Sequence, residues 1–240
     1  MNQFDTRLLR SETVAEGTMA FHFARPAGFH FTAGNAVNLT LVDPPETDGK
    51  GDTRTFSIVS APAENELTFA TRLRDSAFKR VLRNARAGAS ARLGEPGGEF
   101  TLDAEDTRPA VFLAGGIGIT PFVSMSRHAA NEQLVRPIWL FHSNRRPEDA
   151  PFLAELSALE QRNRRYRFIG TMTDMAKSMR PWDGERGFIN RPMLERHLGD
   201  ISSAVYYIAG PPALVEAMQQ MLAGAGIAPD AVRTDEFYGY

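Results

Sequence analysis

The spacing of apolar residues changes once along this 240-residue chain, near residue 105, and the change divides it in two. Before that point apolar and polar positions alternate over short runs, the period of half-buried strands. Thr18–Phe23 alternates and ends at Pro26. Ala36–Val42 sets Val37, Leu39 and Leu41 against Asn38, Thr40 and Val42, and stops at Pro44-Pro45, which cannot continue a central strand. Glu46–Thr53 is polar and glycine-bearing and reads as a loop. Arg54–Ser60 and Glu66–Leu73 follow, around the Glu64-Asn65 turn, and then Ala91–Leu93 and Glu99–Leu102 around Gly94-Glu95-Pro96-Gly97-Gly98. Short strands at this spacing predict a small antiparallel barrel or sandwich. One segment breaks the alternation: Phe78, Val81, Leu82 and Ala85 form an i, i+3, i+4, i+7 stripe, so Ser76–Ala85 is predicted helical with Ser76 as N-cap.

After Asp103–Arg108 the pattern is different. Ala110–Ala114 is continuously apolar, as in a strand buried on both faces of a parallel sheet. Strands are predicted at Pro137–His142, Tyr166–Gly170, Ala204–Ala209 and Val232–Phe237. Between them lie helices after Pro121 and at Pro147–Gln161, Met193–Leu198 and Ala213–Ala223. This βαβ series implies an open parallel sheet with ligands outside the carboxyl ends of its strands. Two glycine turns fall at such ends: Gly115-Gly116-Ile117-Gly118-Ile119-Thr120-Pro121, and Gly210-Pro211-Pro212. Strand, glycine turn and helix together set backbone N–H groups against a pyrophosphate. The first turn lacks the Gly-Lys-Ser/Thr ending of a Walker loop, and Pro121 stands where Gly-x-Gly-x-x-Gly needs its third glycine.

Composition narrows the chemistry. A net charge of −2 gives the molecule no general pull toward nucleic acid or anionic membrane. The absence of cysteine removes thiolate nucleophiles, zinc–thiolate sites and cysteine-ligated clusters, and no metal site is expected. Redox chemistry would need a bound organic cofactor or a partner. Met1–Asp5 does not open a signal peptide and no apolar run reaches spanning length, so a cytoplasmic protein without membrane insertion is the expectation. Charge is segregated: Arg72–Arg92 holds seven basic residues and one acidic. Lys79 falls in the first turn of the expected helix, where a cation opposes the dipole and a bound phosphate would relieve it; the side chain pointing into water explains it equally well.

Arg54-Thr55-Phe56-Ser57 concentrates a cation, a ring and hydroxyls in four residues. Alternation places Arg54 and Phe56 on one face, Thr55 and Ser57 on the other. With Gly115–Pro121, Gly210–Pro212 and Glu236-Phe237-Tyr238 following in that order, nearly the whole chain resembles the ferredoxin–NADP reductase superfamily. The resemblance implies a β + α/β architecture: an antiparallel flavin-binding β-barrel over residues 1–105, then a parallel-sheet nucleotide-binding α/β domain over 106–240. It implies FAD and NAD(P)H as cofactors. Arg54 would pair with the FAD pyrophosphate, Thr55 belongs to the same motif, Phe56 would lie against the isoalloxazine, and Ser57 would reach toward N5. Thr71 and Arg72 would line the cofactor, and Ser76, Phe78 and Lys79 would form a second phosphate-binding segment. Gly115, Gly116, Gly118, Thr120 and Pro121 would form the nucleotide pyrophosphate loop, with Thr120 near the nicotinamide side, Ser143 and Arg145 near the adenosine, and Gly210, Pro211 and Pro212 on the hydride path.

Some positions depart from the family pattern. Ala209 replaces a cysteine. Thr171-Met172-Thr173 stands where a Ser-Arg pair commonly holds the NADP 2′-phosphate, leaving Arg145 or the Arg162–Arg167 cluster as substitutes. Glu236 would relay protons, and Phe237 or Tyr238 would cover the flavin. The implied activity is hydride transfer from NADH or NADPH to FAD, then electron transfer to a separate acceptor: a ferredoxin- or flavodoxin-type protein docked near Arg72–Arg92, or a small acceptor. A flavin or nucleotide sensor, or an electron-transfer subunit of a larger complex, is the alternative.

Overall fold

The structure, a computed structural model, describes residues 3–103 and 105–237. The first half forms one antiparallel sheet of β1 (Phe4–Ala15), β2 (Thr18–Ala24), β3 (Ala36–Leu41), β4 (Thr53–Ser57), β5 (Glu66–Arg72) and β6 (Ser90–Leu93), ordered β4-β3-β6-β1-β2-β5. The sheet curls on itself: just past β4, Val59 donates its N–H to the Thr68 carbonyl of β5 at 2.8 Å. This draws the two edge strands together into a barrel. Inward-facing Phe21, Phe69, Leu39 and Phe56 fill it. Helix α1 (Ala77–Asn84) caps it with Phe78 and Leu82, each contributing about 1.5–3 kcal/mol on burial. The Ser76 hydroxyl caps α1 as expected, accepting from Lys79 N–H.

The second half is a parallel sheet: β7 (Ala110–Gly115), β8 (Ile138–Asn144), β9 (Tyr166–Met172), β10 (Glu185–Arg186), β11 (Val205–Gly210) and β12 (Val232–Glu236), ordered β10-β9-β8-β7-β11-β12. Helices α2 (Thr120–Asn131), α3 (Leu153–Arg162), α4 (Arg191–Leu198) and α5 (Pro212–Gly224) cover its faces. Every residue of β7 is buried, as its unbroken apolar run requires.

Three elements differ from expectation. Glu99–Leu102 is not a strand: the chain turns at Gly98 (φ 106), and Phe100 leaves the barrel to pack on Phe122 and Tyr207 of the other half. The helix expected from Pro147 begins only at Leu153, because Ala150 precedes Pro151 and is held extended. Strand β10, two residues long, is too short to leave a period in the sequence.

The halves share a core in which Val59 and Ala70 of the barrel meet Ile119, Phe122 and Tyr207. Polar links reinforce it. Ser124 donates its hydroxyl to the Ser60 carbonyl at 2.7 Å, and Arg127 pairs with Glu64 and Glu155. No helix among the described residues is long and apolar enough to cross a membrane, and no group of three or more His, Asp or Glu there could hold a metal.

Candidate functional site

Arg54 is the second residue of β4, so its side chain shares a face with Phe56, as alternation requires. Its guanidinium lies over the Phe78 ring at 5.1 Å. Nη1 donates to the carbonyls of Lys50, Gly51 and Thr53. Nη2 is buried without a hydrogen bond, 3.5 Å from the Asp48 carboxylate. Asp48 also accepts the Ala77 N–H, at the start of α1, at 3.0 Å. The N–H groups of Lys50 and Ala77, then Arg54, hold this carboxyl below the usual range. Lys79 is half-buried nearby; burial first, then the charges of Arg74, Arg54 and Lys50, lower its pKa. Several cations and a helix N-terminus converging on one carboxylate are the ingredients of an anion site.

Other barrel residues are placed differently from expectation. Phe56 is only 8 % exposed and packs on Phe69 and Phe78, so its ring is not open to a ligand as the chain stands. Phe78 likewise faces the core and serves as the platform beneath Arg54. Thr55 points to the opposite, exposed face, where it donates to Asn38 Oδ1. Thr71 is buried, and Arg72 reaches Asp149 of the other half at 4.0 Å. Ser57 ends β4 opposite Ala36 and is nearly buried.

The two glycine turns meet at the carboxyl edge of the parallel sheet. A Cβ on Gly118 would come within 2.5 Å of the Ala209 carbonyl oxygen and 2.6 Å of Gly210 Cα, so only glycine lets the turns touch. Gly116 has φ +54, and a Cβ there would meet no atom within 4 Å; the backbone at this point faces open space. That is the cradle a phosphate needs. Gly115 ends β7, and Pro121 stands in the first turn of α2. Thr120 is buried and donates its hydroxyl to Ile117, so it shapes the turn instead of facing a nicotinamide. Pro211 and Pro212 are exposed at the start of α5.

His142 escaped notice in the sequence. Its ring, wholly buried in β8, bonds the Gly116 carbonyl through Nε2 at 2.9 Å. Burial pulls its pKa down to about 4, with the Gly116 carbonyl opposing, so at neutral pH the ring is uncharged and Nε2–H donates. An unfolded histidine titrates near 6.5. Between these values the unfolded chain binds a proton that the folded one refuses. Stability is therefore full above pH 6.5 and falls as pH drops toward 4. Relative to His142→Gln, the wild-type advantage should shrink by about 2 kcal/mol between pH 7 and 4.5 in denaturant unfolding. A difference independent of pH would contradict this.

Toward the adenosine end, Ser143 lies inside β8, not after it, and is nearly buried. Arg145 is exposed. Arg146 is committed to Asp149 and Glu16. The N–H groups of Thr173 and Asp174 donate to the Asn144 and Arg145 carbonyls, bringing the Asp174 carboxylate and its Lys177 partner to this edge. The Arg162–Arg167 cluster lies at the other edge. It runs from the last residue of α3 to the second residue of β9, so roughly 15 Å or more of strand separates it from the carboxyl end, out of reach of a 2′-phosphate there. A ring the sequence did not single out, Phe188, is 75 % exposed beside that end, where Thr171 donates to the Gly187 carbonyl.

At the C-terminus, Glu236 is exposed opposite Gly210. The neighbouring Asp235 is half-buried. It faces a cavity of about 400 Å³ shared with Gly34, Ala36 and Phe100, and burial raises its pKa. Phe237 donates its N–H to the Gly210 carbonyl and packs against the shared core. Tyr238 lies outside the described residues.

Comparison with known proteins decides the family. The ferredoxin–NADP reductase B of Sorangium cellulosum is 31 % identical over 232 residues, covering 92 % of this chain and 91 % of that protein. The chain belongs to the ferredoxin–NADP reductase family. It is therefore an NAD(P)H-dependent flavin oxidoreductase. The family model described as an oxidoreductase NAD-binding domain matches residues 112–220. The glycine betaine monooxygenase reductase subunit of Chromohalobacter salexigens is 29 % identical over 90 % of this chain, but the chain spans only 58 % of it. A Neisseria gonorrhoeae ferredoxin NADP⁺ reductase solved with FAD and NADP shares the fold, with TM-score 0.82, 24 % identity, and coverage of 98 % of this chain and 99 % of that one.

The residues present fit the family's FAD. The buried Arg54 Nη2, which makes no hydrogen bond, and the Ala77 N–H at the α1 N-terminus both face one anionic group, the Asp48 carboxylate, and are donors of the kind a phosphate takes.

Proposed function

We propose that the chain takes hydride from NADH, in preference to NADPH, and delivers electrons to a ferredoxin-type protein. Bound FAD supplies the conversion of a hydride at N5 into electrons passed on to the acceptor. Arg54 and α1 hold its phosphates, and Ser57 is the hydroxyl offered to N5. Asp235, which lines the cavity at the junction and whose pKa burial raises, is the acid placed to hold a proton there, whereas Glu236 is exposed. The glycine turns admit the nucleotide, and the shared core fixes them against the barrel.

The observation carrying this reading is the contact of Gly118 with Ala209 and Gly210 at one sheet edge, in a turn packed on Val59 and Ala70 of the barrel. It brings the nucleotide-binding edge up against the flavin-binding half. The preference for NADH rests on Asp174 near the expected 2′-phosphate position and on the remoteness of the Arg162–Arg167 cluster. The Sorangium relative's name refers to NADP, but that is said of the relative.

For the acceptor, the basic segment divides. Arg80 pairs with Glu46 and Asp75, Arg72 with Asp149, and Arg92 with Asp5. Arg74, Arg83 and Arg86 are exposed and carry no ion pair among the described residues. Docking therefore falls to these three, on and beside α1. Reversing Arg83 and Arg86 to Glu should slow reduction of an acidic [2Fe–2S] ferredoxin about tenfold at low salt and flatten its salt dependence. Flavin reduction by NADH should be unaffected. Unchanged ferredoxin rates would remove this docking surface.

A further inference from the structure

The loop from Val42 to Asp52 joins β3 to β4 and folds back across the N-terminus of α1. Two acidic side chains hold it there. Glu46 receives Arg80 of α1 through both carboxylate oxygens, at 3.0 and 2.8 Å. Asp48 sits two residues further in, with one oxygen on the Ala77 N–H and the other 3.5 Å from the unbonded Arg54 Nη2. Arg54 in turn grips the root of the loop through the carbonyls of Lys50, Gly51 and Thr53. One carboxylate thus engages both donors that would bind the flavin pyrophosphate.

We propose that the Val42–Asp52 loop is a strap whose Asp48 carboxylate occupies the FAD phosphate site, so that FAD loading must displace it. The inference rests on the flavoprotein reading above and adds a regulatory element to that site. Carboxylate and phosphate compete for the same N–H groups, and a full negative charge cannot share the Arg54 fork with a pyrophosphate without repulsion. Glu46 and Arg80 form the latch, on the exposed side of α1, where they set how readily the strap opens without touching the phosphate position.

The test is equilibrium and stopped-flow titration of the full, FAD-stripped chain with FAD and with riboflavin, which carries no phosphate, followed by flavin fluorescence. Asp48→Asn can still accept the Ala77 N–H but removes the competing charge. It should lower the FAD Kd about tenfold and leave the riboflavin Kd unchanged. Glu46→Gln keeps Asp48 and weakens the latch; it should speed FAD association about threefold, and it decides the matter if Asp48→Asn folds poorly. An FAD Kd that is unchanged or higher in Asp48→Asn, or an equal shift for riboflavin, would overturn the strap while the flavoprotein reading stands. Failure of every chain to bind FAD would overturn both.

Discussion

Replacing Gly118 with alanine should abolish most nucleotide-dependent flavin reduction while leaving FAD in place. The added Cβ would lie 2.5 Å from the Ala209 oxygen and 2.6 Å from Ala209 C and Gly210 Cα, all backbone atoms of a buried strand end. No side chain can rotate away to make room. The two turns must separate, at a cost of about 2–3 kcal/mol of stability, typical of overpacking. A shift of that kind at a hydride-transfer site costs on the order of 100-fold in rate. Gly116→Ala is the informative comparison. Its Cβ would meet nothing, so the main structural penalty is the left-handed backbone at φ +54, about 1–2 kcal/mol. The new methyl group would stand where the nucleotide approaches, raising KM more than it lowers kcat. Stopped-flow bleaching of the flavin band, with denaturant unfolding alongside, separates the two variants. A wild-type rate in Gly118→Ala would mean the turns are not held together as described.

Arg54→Gln should cost the protein its flavin. Arg54 brings one nitrogen that is buried without a hydrogen bond, and charge-assisted bonds to phosphate are worth about 1.5–3 kcal/mol each. The FAD Kd should rise roughly 100-fold, enough for FAD to leave on dialysis. Arg54→Lys should recover only part of this, since an ammonium lacks the planar fork that meets two oxygens at once. The substitution also frees the carbonyls of Lys50, Gly51 and Thr53, so a loss of loop order should accompany it. Full FAD retention by Arg54→Gln would move the phosphate site elsewhere.

What the sequence made legible, and what it hid, follows from the range of the interactions. The parallel sheet was readable because strand β7, buried on both faces, has no polar position to interrupt its apolar run, and the glycine turns follow directly on strands β7 and β11. Arg54 was readable because cation, ring and hydroxyl stand together in four residues. Alternation also put Phe56 on the same face as Arg54. It does not say which face a helix will cover, so the inward turn of Phe56 and Phe78 was hidden until α1 was placed. Asp48 looked like one polar residue in a loop, because its partner Ala77 is 29 residues away. His142 looked like the end of a strand: its partner Gly116 lies on the neighbouring strand's turn, 26 residues earlier, and its burial comes from sheet order. The Arg162–Arg167 cluster stands beside β9 in sequence, but at the start of that strand, and its distance from the carboxyl end depends on strand direction, which residue spacing alone does not show.

Anaerobic titration of the FAD-loaded protein with NADH and then NADPH, watching the visible flavin band, tests the central claim most directly. The predicted result is rapid, stoichiometric bleaching by NADH, at least tenfold slower bleaching by NADPH, and return of colour when an acidic [2Fe–2S] ferredoxin is added. A yellow protein that neither nucleotide bleaches would contradict it, because the two glycine turns and the Arg54 site would then not form one path for hydride.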